Sequence, residues 1–272
     1  MLFVTDLITF MHCPRRLYAI KKLGYREPST REMVFGNVVH DVAEQVSGHD
    51  ARIVRSLALV QSREEVVDAY RQFAHKVLSR AIVDRREDLM KAGAVLMECY
   101  RWARPAVELF AQRRAAVVHE RFAVHGSGAL KLLVSEVRTE VPVESAPLGL
   151  RGRIDELRFT ADGVVPVEIK TGSMPKEGAW KHHQVQLAAY GLMLEEQGRV
   201  AREAKVHYVI HGEERHVFLN PFLKDEVRKI VGECVALLAR AVIPEVGCGA
   251  CGACTVFRSR LAHAPVSAGK SF

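Results

Sequence analysis

The sequence contains no long apolar run, no internal repeat and no segment of low complexity. None of its apolar stretches approaches the roughly 18 to 20 residues that a membrane-spanning helix needs, so we do not expect a membrane protein. A signal peptide is not expected either, because the N-terminal stretch lacks a basic segment and carries Asp6 among its apolar residues. With 49% hydrophobic and 26% charged residues, the composition excludes a disordered or fibrous chain. We therefore expect a globular protein of the reducing cytoplasm.

Cysteine is also scarce, and six residues among 272 do not form a disulfide framework in a chain of this size. Three of the six lie close together near the end of the sequence: Cys248, Cys251 and Cys254. The glycine-bearing stretch GCGACGAC that carries them is typical of a loop that directs three sulfurs to one point, with Cys13 as the candidate fourth ligand. Cys99 and Cys234 lie in apolar helical surroundings and are interpreted as core residues. The spacing predicts a bound metal, either an iron–sulfur cluster or Zn²⁺.

Positive charge is in excess, with 39 Lys and Arg against 32 Asp and Glu, a net charge of +7 and a pI of about 9.2. Most of the excess lies between Arg71 and Arg121, where eleven basic residues accompany six acidic ones. Such a region suits a surface that follows the phosphates of a nucleic acid, whereas the simpler explanation is a solvated helix face. On its own, the charge favours the solvated face.

The apolar spacing predicts an α/β protein whose N-terminal part is helical. Pro105 should break or kink the helices of the second region. Later in the chain, short apolar runs and turn signals predict strands at 151–159, 164–170, 205–210 and 215–220, and helices at 179–196 and 221–241. This order predicts a mixed sheet flanked by helices. We divide the chain into N-terminal helices with Cys13 and His40 at 1–50, a helical basic insertion at 51–116, a core at 117–243, and a cysteine-rich loop and tail at 244–272.

Acidic side chains and a lysine come together in the hairpin predicted between the first two of these strands. Glu168 and Lys170 flank Ile169 and so share one face of their strand, and an antiparallel neighbour can bring Asp155 beside them. Two carboxylates on one face repel each other unless a cation joins them, and Mg²⁺ or Mn²⁺ suits oxygen ligands. Lys170 would then activate a water or stabilise charge on a phosphate. A cross-strand salt bridge is the alternative explanation.

Further residues favour a functional site over a salt bridge. Glu168 and Lys170 interrupt a strand that is otherwise apolar, where charged side chains are rare without a function. Gln186 and Tyr190 are four residues apart on the following helix and therefore share the face that could orient the site. His40 could supply an imidazole ligand from an N-terminal helix, although a lone helical histidine is more often a surface side chain.

Five stretches of the sequence together resemble a known family: HCPRRLY, FGNVVHDVAE, RGRID, EIK twelve residues after RGRID, and QLAAY. They are similar to motifs of the RecB-like nucleases of the PD-(D/E)xK superfamily, and most similar to the CRISPR-associated branch with a cysteine-bound iron–sulfur cluster. The resemblance covers the first fifty residues and about 135–255 and leaves 51–116 unmatched. It implies a restriction-endonuclease-like mixed sheet core flanked by helices, with a helical N-terminal region and a C-terminal iron–sulfur loop.

Matched motif by motif, the resemblance implies a role for each candidate residue. The divalent metal would be bound by His40, Asp155, Glu168 and the backbone carbonyl of Ile169. The catalytic group would comprise Lys170, Glu168, Asp155, Gln186 and Tyr190. An acidic strand position of the family corresponds to either Glu140 or Glu136.

The resemblance also implies an iron–sulfur cluster held by Cys13, Cys248, Cys251 and Cys254. A [4Fe–4S] cluster is expected. The two residues between Cys251 and Cys254 are fewer than the family usually has, so [2Fe–2S] is the alternative. Because these cysteines come from both ends of the sequence, we expect a structural staple rather than an electron-transfer centre.

The function implied by the resemblance is hydrolysis of DNA phosphodiesters with Mg²⁺ or Mn²⁺ as cofactor. More narrowly, the resemblance implies a single-strand DNA exonuclease of 5′-to-3′ polarity that processes ends for CRISPR spacer acquisition, with the CRISPR integrase proteins as partners. The alternative is an adaptor with the same fold and cluster that binds nucleic acid without cutting it. A zinc-bound structural protein ranks lowest.

Overall fold

The computed structural model describes residues 1–55, 62–126 and 137–262. Within these ranges the helices are α1 (Val4–His12), α2 (Pro14–Leu23), α3 (Arg31–Gly48), α4 (Asp50–Arg55), α5 (Arg63–Asp84), α6 (Arg86–Lys91), α7 (Leu96–His125), α8 (Lys181–Glu196), α9 (Pro221–Ala239) and α10 (Gly252–Ala262). The strands are β1 (Leu2–Phe3), β2 (Val137–Ser145), β3 (Leu150–Thr160), β4 (Gly163–Lys170), β5 (Glu203–Tyr208) and β6 (Glu213–Phe218).

The six strands form one mixed sheet, which confirms the predicted fold class. Its order is β1-β3-β4-β5-β6, and β2 pairs with β3 as well. The β3–β4 hairpin is antiparallel, whereas β4 and β5 are parallel and are connected through α8. Helices cover both faces, as the alternation of strand and helix signals predicts.

One edge of β3 is left open over a short stretch. β2 occupies the opposite edge of β3 along almost its whole length. The other edge is shared between β1, which pairs at Leu150 and Arg151, and β4, which pairs from Glu156 to Thr160. Residues 152–155 of β3 therefore lie between the two partner strands, and this gap in the sheet becomes the wall of a cleft.

Two separate apolar cores pack against the sheet. The first joins α1, α8 and α9 to the sheet through residues such as Ile154, Leu187 and Tyr208. The second joins α3, α5 and α7, with Leu78 and Ile169 fully buried in it. Burial of each large side chain contributes about 1.5–3 kcal/mol to folding. The helices of the basic region are therefore an integral part of the folded structure, since they build this second core.

Of the two outcomes that the sequence predicts for Pro105, a break or a kink, the break does not occur. Pro105 lies inside α7, which runs from Leu96 to His125. Proline removes the hydrogen bond to the carbonyl four residues earlier, and here both Arg101 and Pro105 are exposed, so water can replace that bond. The limit drawn between residues 116 and 117 falls within α7, and the division into regions stays a prediction. In the described part of the chain, no helix has the length and apolarity that a membrane span requires.

Candidate active site

The regular alternation of β3 is interrupted beside the gap in the sheet. Ile154 and Leu157 both pack in the first core, although residues three apart on an uninterrupted strand face opposite sides. Across from this point on β2 lies Glu140, whose φ of 55° is the single positive value of a non-glycine residue in the described ranges. The two strands keep the same register on both sides of this point, so no residue is inserted, and unusual backbone conformations of this kind are frequent beside active sites. Asp155 lies at this irregularity, and its Oδ2 accepts a hydrogen bond of 2.7 Å from the backbone N–H of Ile169 on β4.

Helix α3 brings two further polar side chains to Asp155. His40 Nε2 lies 3.0 Å from Asp155 Oδ2. Glu44 is one turn further along α3, with Oε1 3.9 Å from His40 Nδ1. Burial opposes the positive charge of His40, yet the hydrogen bond to Asp155 and the surrounding carboxylates raise its pKa to about 9. Gly36 lets α3 approach the end of β4, because a Cβ there would lie 2.6 Å from Thr171 Oγ1.

Glu168 accepts two side-chain hydrogen bonds on one of its oxygens. Its Oε1 accepts hydrogen bonds from Lys170 Nζ at 2.8 Å and from Gln186 Nε2 at 2.6 Å. Gln186 Nε2 also lies 3.2 Å from the hydroxyl of Tyr190, which donates to the backbone carbonyl of Arg153 at 2.9 Å. Helix α8 thus fixes one oxygen of Glu168 and ties it to β3, as the four-residue spacing of Gln186 and Tyr190 predicts.

The other carboxylate oxygens of this acidic cluster, which comprises Glu44, Glu140, Asp155 and Glu168, are poorly satisfied. Glu44 Oε1, Glu140 Oε1 and Glu168 Oε2 are buried without a hydrogen-bond partner among the described residues. Burial and the neighbouring carboxyl of Glu140 raise the pKa of Glu44 to about 8. Burial also raises the pKa of Glu168 to about 7, with Asp155 adding to the effect against the opposing Lys170. A cation among these oxygens would remove both the repulsion and the missing bonds.

These donors fit a hard divalent ion. Ligand atoms of Glu44, Glu140 and Asp155 lie within 4.8 Å of one another, as do those of His40, Asp41 and Glu44. Carboxylate oxygens with one imidazole suit Mg²⁺ or Mn²⁺. Glu168 belongs to neither of these groups, although the charges of Asp155 and His40 both affect its pKa.

The structure thus brings together every residue that the sequence nominates for the active site and that lies in the described ranges. Ile169 contributes its N–H to Asp155, and the role of its carbonyl stays a prediction. Glu140 lies in the acidic cluster, whereas Glu136 lies outside the described residues. Sequence reasoning missed Glu44. Its position four residues after His40, on the same face of a predicted helix, was the available signal.

A cleft of about 740 Å³ opens beside the acidic cluster. At one end it is lined by Asp155, Glu168, Gln186 and Tyr190. At the other end it reaches Phe3 of β1 and Arg151 of β3, across the gap between β1 and β4. Gly152 lies in this gap and leaves room for the ring of Tyr190, because a Cβ there would lie 2.8 Å from that ring. The cleft is large enough for several atoms of a polymeric substrate on either side of a reacting bond.

The four cysteines nominated from the sequence also converge. Their sulfurs all lie within 4.8 Å of one another, and Cys13 Sγ is 3.6 Å from Cys254 Sγ. Cys13 stands directly before the proline that begins α2, and Cys254 lies in the first turn of α10 rather than in a loop. Gly247 leaves room for the sulfurs, since a Cβ there would lie 2.8 Å from Cys254 Sγ.

This cysteine cluster is chemically suited to a thiolate-bound metal. Backbone N–H groups of Ala250 and Cys251 lower the pKa of the Cys248 thiol to about 6, which favours the ligating thiolate. A tetrahedral ion with bonds of about 2.3 Å separates its sulfurs by about 3.8 Å, and iron–sulfur clusters use the same four ligands. Cys99 and Cys234 are fully buried, and burial raises their pKa values to about 11 and about 12.

Comparison with known proteins gives two findings. Residues 3–257 match the family described as PD-(D/E)XK nuclease superfamily. Over 239 residues the chain is 24% identical to the protein of Mus musculus described as DNA replication ATP-dependent helicase/nuclease DNA2, a stretch that is 83% of this chain and 22% of that protein. The chain therefore spans less than a quarter of the length of this relative. The family match covers both strands of the hairpin, the helix that follows them and all four converging cysteines, and on that extent the chain belongs to the PD-(D/E)XK nuclease superfamily.

Proposed function

We propose that the protein is a metal-dependent deoxyribonuclease whose active site is the acidic cluster with Lys170. One observation carries the proposal: three buried carboxylate oxygens have no hydrogen-bond partner among the described residues, and one of them belongs to Glu168, whose other oxygen accepts a hydrogen bond from Lys170. In a nuclease superfamily this donor set suits Mg²⁺ or Mn²⁺, held by His40, Asp155, Glu168 and the carbonyl of Ile169. When bound, the ion would polarise the scissile phosphate and lower the pKa of an attacking water.

The chain's own residues would then orient the reacting groups. Lys170 Nζ, 2.8 Å from Glu168 Oε1, is close enough to stabilise negative charge that develops on a phosphate oxygen. Gln186 Nε2 donates a hydrogen bond of 2.6 Å to Glu168, and the hydroxyl of Tyr190, 3.2 Å from the same Nε2, would keep Gln186 in place. Glu44 and Glu140 would complete the ligand set from α3 and from β2. This assignment gives Glu44 a role in metal binding that the sequence motifs alone do not suggest.

The narrower proposal is a single-strand exonuclease of 5′-to-3′ polarity that processes ends for CRISPR spacer acquisition together with the integrase proteins. Its support is the resemblance of the HCPRRLY, FGNVVHDVAE and RGRID stretches to that branch. A DNA substrate is further supported by the relative described as a helicase/nuclease of DNA replication. The net charge of +7 favours a polyanion.

The decisive experiment incubates the purified protein and Mn²⁺ with single-stranded DNA labelled at the 5′ end or at the 3′ end. Lys170→Ala and Glu168→Ala should each reduce cleavage about 10²- to 10⁴-fold. Lys205→Ala is the matched control, because Lys205 is also a strand lysine, paired with Glu214 at 3.3 Å outside the acidic cluster. Undiminished cleavage in both active-site variants would refute the site. DNA binding without cleavage by the wild-type protein would favour the adaptor instead, and the two labels report polarity.

We further propose that Cys13, Cys248, Cys251 and Cys254 hold a [4Fe–4S] cluster that joins the two ends of the chain. The guanidinium of Arg15 reinforces this junction through hydrogen bonds to the carbonyls of Pro244, at 3.1 Å, and Glu245. Protein prepared without oxygen should be brown, and its iron and sulfide content separates [4Fe–4S] from [2Fe–2S]. Cys13→Ala should remove the colour, whereas Cys99→Ala, at an equally buried cysteine, should keep it. A colourless protein that contains one zinc would refute the cluster.

A further inference from the structure

At the end of the cleft that lies away from the acidic cluster, the planar guanidinium of Arg151 lies over the ring of Phe3. The guanidinium carbon of Arg151 is 4.1 Å from the centre of the Phe3 ring. Both residues line the cleft that also contains Asp155 and Glu168, and Phe3 is 42% exposed. A phenylalanine that remains so accessible, with an arginine lying over it, offers a ready surface for a planar ligand.

Backbone pairing fixes this surface relative to the active site. Phe3 of β1 and Arg151 of β3 are register partners in the parallel pair. Arg151 precedes Asp155 by four residues, which corresponds to about 13 Å along a strand. At about 3.4 Å per nucleotide in helical DNA, that distance corresponds to at most about four nucleotides, and to fewer in an extended single strand.

The charges around the pair favour a flat base over a phosphate as its ligand. Glu144 is the cross-strand partner of Arg151 on β2, a position at which opposite charges attract each other. Arg153, which also lines the cleft, is bound to Glu140 at 2.6 Å. Lys21 lies 5.3 Å from the Phe3 ring centre, but its ammonium is 2.7 Å from Asp6. Each of these cations has a carboxylate nearby, so little positive charge is left to bind a phosphate. The planar surface formed by Arg151 and Phe3 is the feature that remains available to a ligand.

We propose that Phe3 and Arg151 form a stacking platform for one unpaired nucleobase of the substrate, within about four nucleotides of the bond that is hydrolysed. Aromatic rings and guanidinium planes are the surfaces on which proteins stack unpaired bases. Bases inside a duplex are already stacked on their neighbours, so the platform selects a single-stranded segment. The inference rests on the proposed function, because it requires that the cleft hold a DNA strand.

The test measures binding without catalysis, by fluorescence anisotropy of labelled single-stranded DNA in the absence of divalent ions. A set of oligonucleotides carries one abasic site, moved along the strand one nucleotide at a time. For the wild-type protein, an abasic site at one position should weaken binding about tenfold, the effect expected from the loss of one stacked base. The other positions should change binding little.

Variants then connect that position to the platform. Arg151→Ala should weaken binding of the intact strand about tenfold and show no further loss with the critical abasic site. Arg151→Lys keeps the charge but lacks the planar group, so it should behave like Arg151→Ala. Arg138→Ala is the matched control: Arg138 also lies over a phenylalanine, 5.1 Å from the ring of Phe159, and this pair does not line the cleft. The control should keep the abasic profile of the wild type.

Several outcomes would overturn the proposal. They are an abasic profile without a critical position, no binding of the intact strand by the wild-type protein, or an Arg151→Lys variant with the wild-type profile. If Arg151→Ala fails to fold, Phe3→Leu removes the aromatic ring while keeping an apolar side chain and should abolish the critical position. Failure of the nuclease proposal is recognised separately, because a protein that stacks a base in this assay but does not cut with Mn²⁺ refutes catalysis alone.

Discussion

Two buried groups of charged residues meet at consecutive positions of β3, and they are neutralised in different ways. Asp155 belongs to the acidic cluster. Glu156 belongs to what we call the arginine network, in which Arg114 and Arg158 bind three carboxylates: Asp50, Glu156 and Glu214. Arg158 Nε lies 2.6 Å from Glu156 Oε1, and Arg114 Nη2 lies 2.5 Å from Asp50 Oδ2.

The consequences for proton binding are opposite. Although burial opposes their charge, Arg158 and its neighbours lower the pKa values of Glu156 and Glu214 to about 2. In the acidic cluster, burial raises the pKa of Glu44 to about 8 and that of Glu168 to about 7. The arginine network is complete within the chain and stabilises the fold. In the acidic cluster Lys170, His40 and Arg153 contact carboxylates, yet three buried oxygens have no hydrogen-bond partner among the described residues, which is the property expected of a site that binds a cation.

The largest expected effect comes from removing a cation from the arginine network. Arg114→Met leaves Asp50 buried without its guanidinium partner and should lower the free energy of unfolding by about 3–5 kcal/mol. Lys170→Met in the acidic cluster should cost much less, because Glu168 takes up a proton in place of its partner. Urea unfolding at neutral pH without divalent ions measures both. Equal losses would show that the two clusters do not differ as described.

The next effect is stabilisation by Mn²⁺. At about 100 times the dissociation constant, a ligand that binds only the folded state raises the free energy of unfolding by about 2.7 kcal/mol. Thermal unfolding should show this increase for the wild type and lose it in Asp155→Asn. Glu214→Gln in the arginine network should start from a lower stability and gain the same increment. A stabilisation that survives in Asp155→Asn would place the ion elsewhere.

Each cluster also contains a buried tyrosine, and these form a matched pair. Tyr70 donates a hydrogen bond of 2.7 Å to Asp50, whereas Tyr190 donates to the carbonyl of Arg153 beside Glu168. Tyr70→Phe should cost about 1.5–3 kcal/mol of stability, because the hydrogen bond goes to a charged group, and should leave cleavage unchanged. Tyr190→Phe should cost about 1 kcal/mol and lower kcat. A pattern in which both variants affect only stability would contradict an orienting role for Tyr190.

The comparison also predicts a pH dependence of stability, with a slope of at most about 1.4 kcal/mol per pH unit for each titrating group. The raised pKa values of Glu44 and Glu168 mean that the folded state holds protons that the unfolded state has released. Metal-free protein should therefore lose stability as the pH rises from about 4.5 to about 8. Glu156 and Glu214 act in the opposite sense, and their contribution is lost as the pH falls from about 4.5 to about 2.

Chemical denaturation measures the free energy of unfolding in both pH ranges, the upper one from about 4.5 to about 8 and the lower one from about 4.5 to about 2. Glu168→Gln should reduce the loss of stability in the upper range, where Glu44 still titrates, and leave the lower range unchanged. Saturating Mn²⁺ should also reduce the upper slope, because the ion competes with protons for the same oxygens. A wild-type protein whose stability rises between pH 5 and 8 would contradict the raised pKa values.

The sequence predicted the hairpin and the proximity of its candidate site residues because their local geometry follows from simple periodicity. Alternation along a strand puts Glu168 and Lys170 on one face, and a short turn places Asp155 opposite them. Likewise, the spacing of four residues between Gln186 and Tyr190 predicts contacts with the same neighbour. Such relations depend on few residues and on one period, so they survive in the folded protein.

Other features depend on residues that are distant in the sequence, and the sequence pattern did not show them. The backbone irregularity opposite Asp155 gives Glu140 a positive φ, although glutamate has no preference for that conformation. Glu44 becomes a candidate ligand only because α3 packs beside this part of β2. Pro105 was expected to break or kink a helix, and the solvent on its side of α7 allows the helix to continue through it. The division into two cores follows from the tertiary contacts of α3, α5 and α7 with the sheet.

The convergence of Cys13 with three cysteines more than 230 positions later has a consequence for biosynthesis. A ribosome makes Cys13 more than 230 residues before Cys254, so any cofactor that needs all four sulfurs can be inserted only after the chain through Cys254 has emerged. Shorter translation products, even those that contain the entire sheet, would leave the ribosome without it. Loading of this centre would therefore report that synthesis has reached α10.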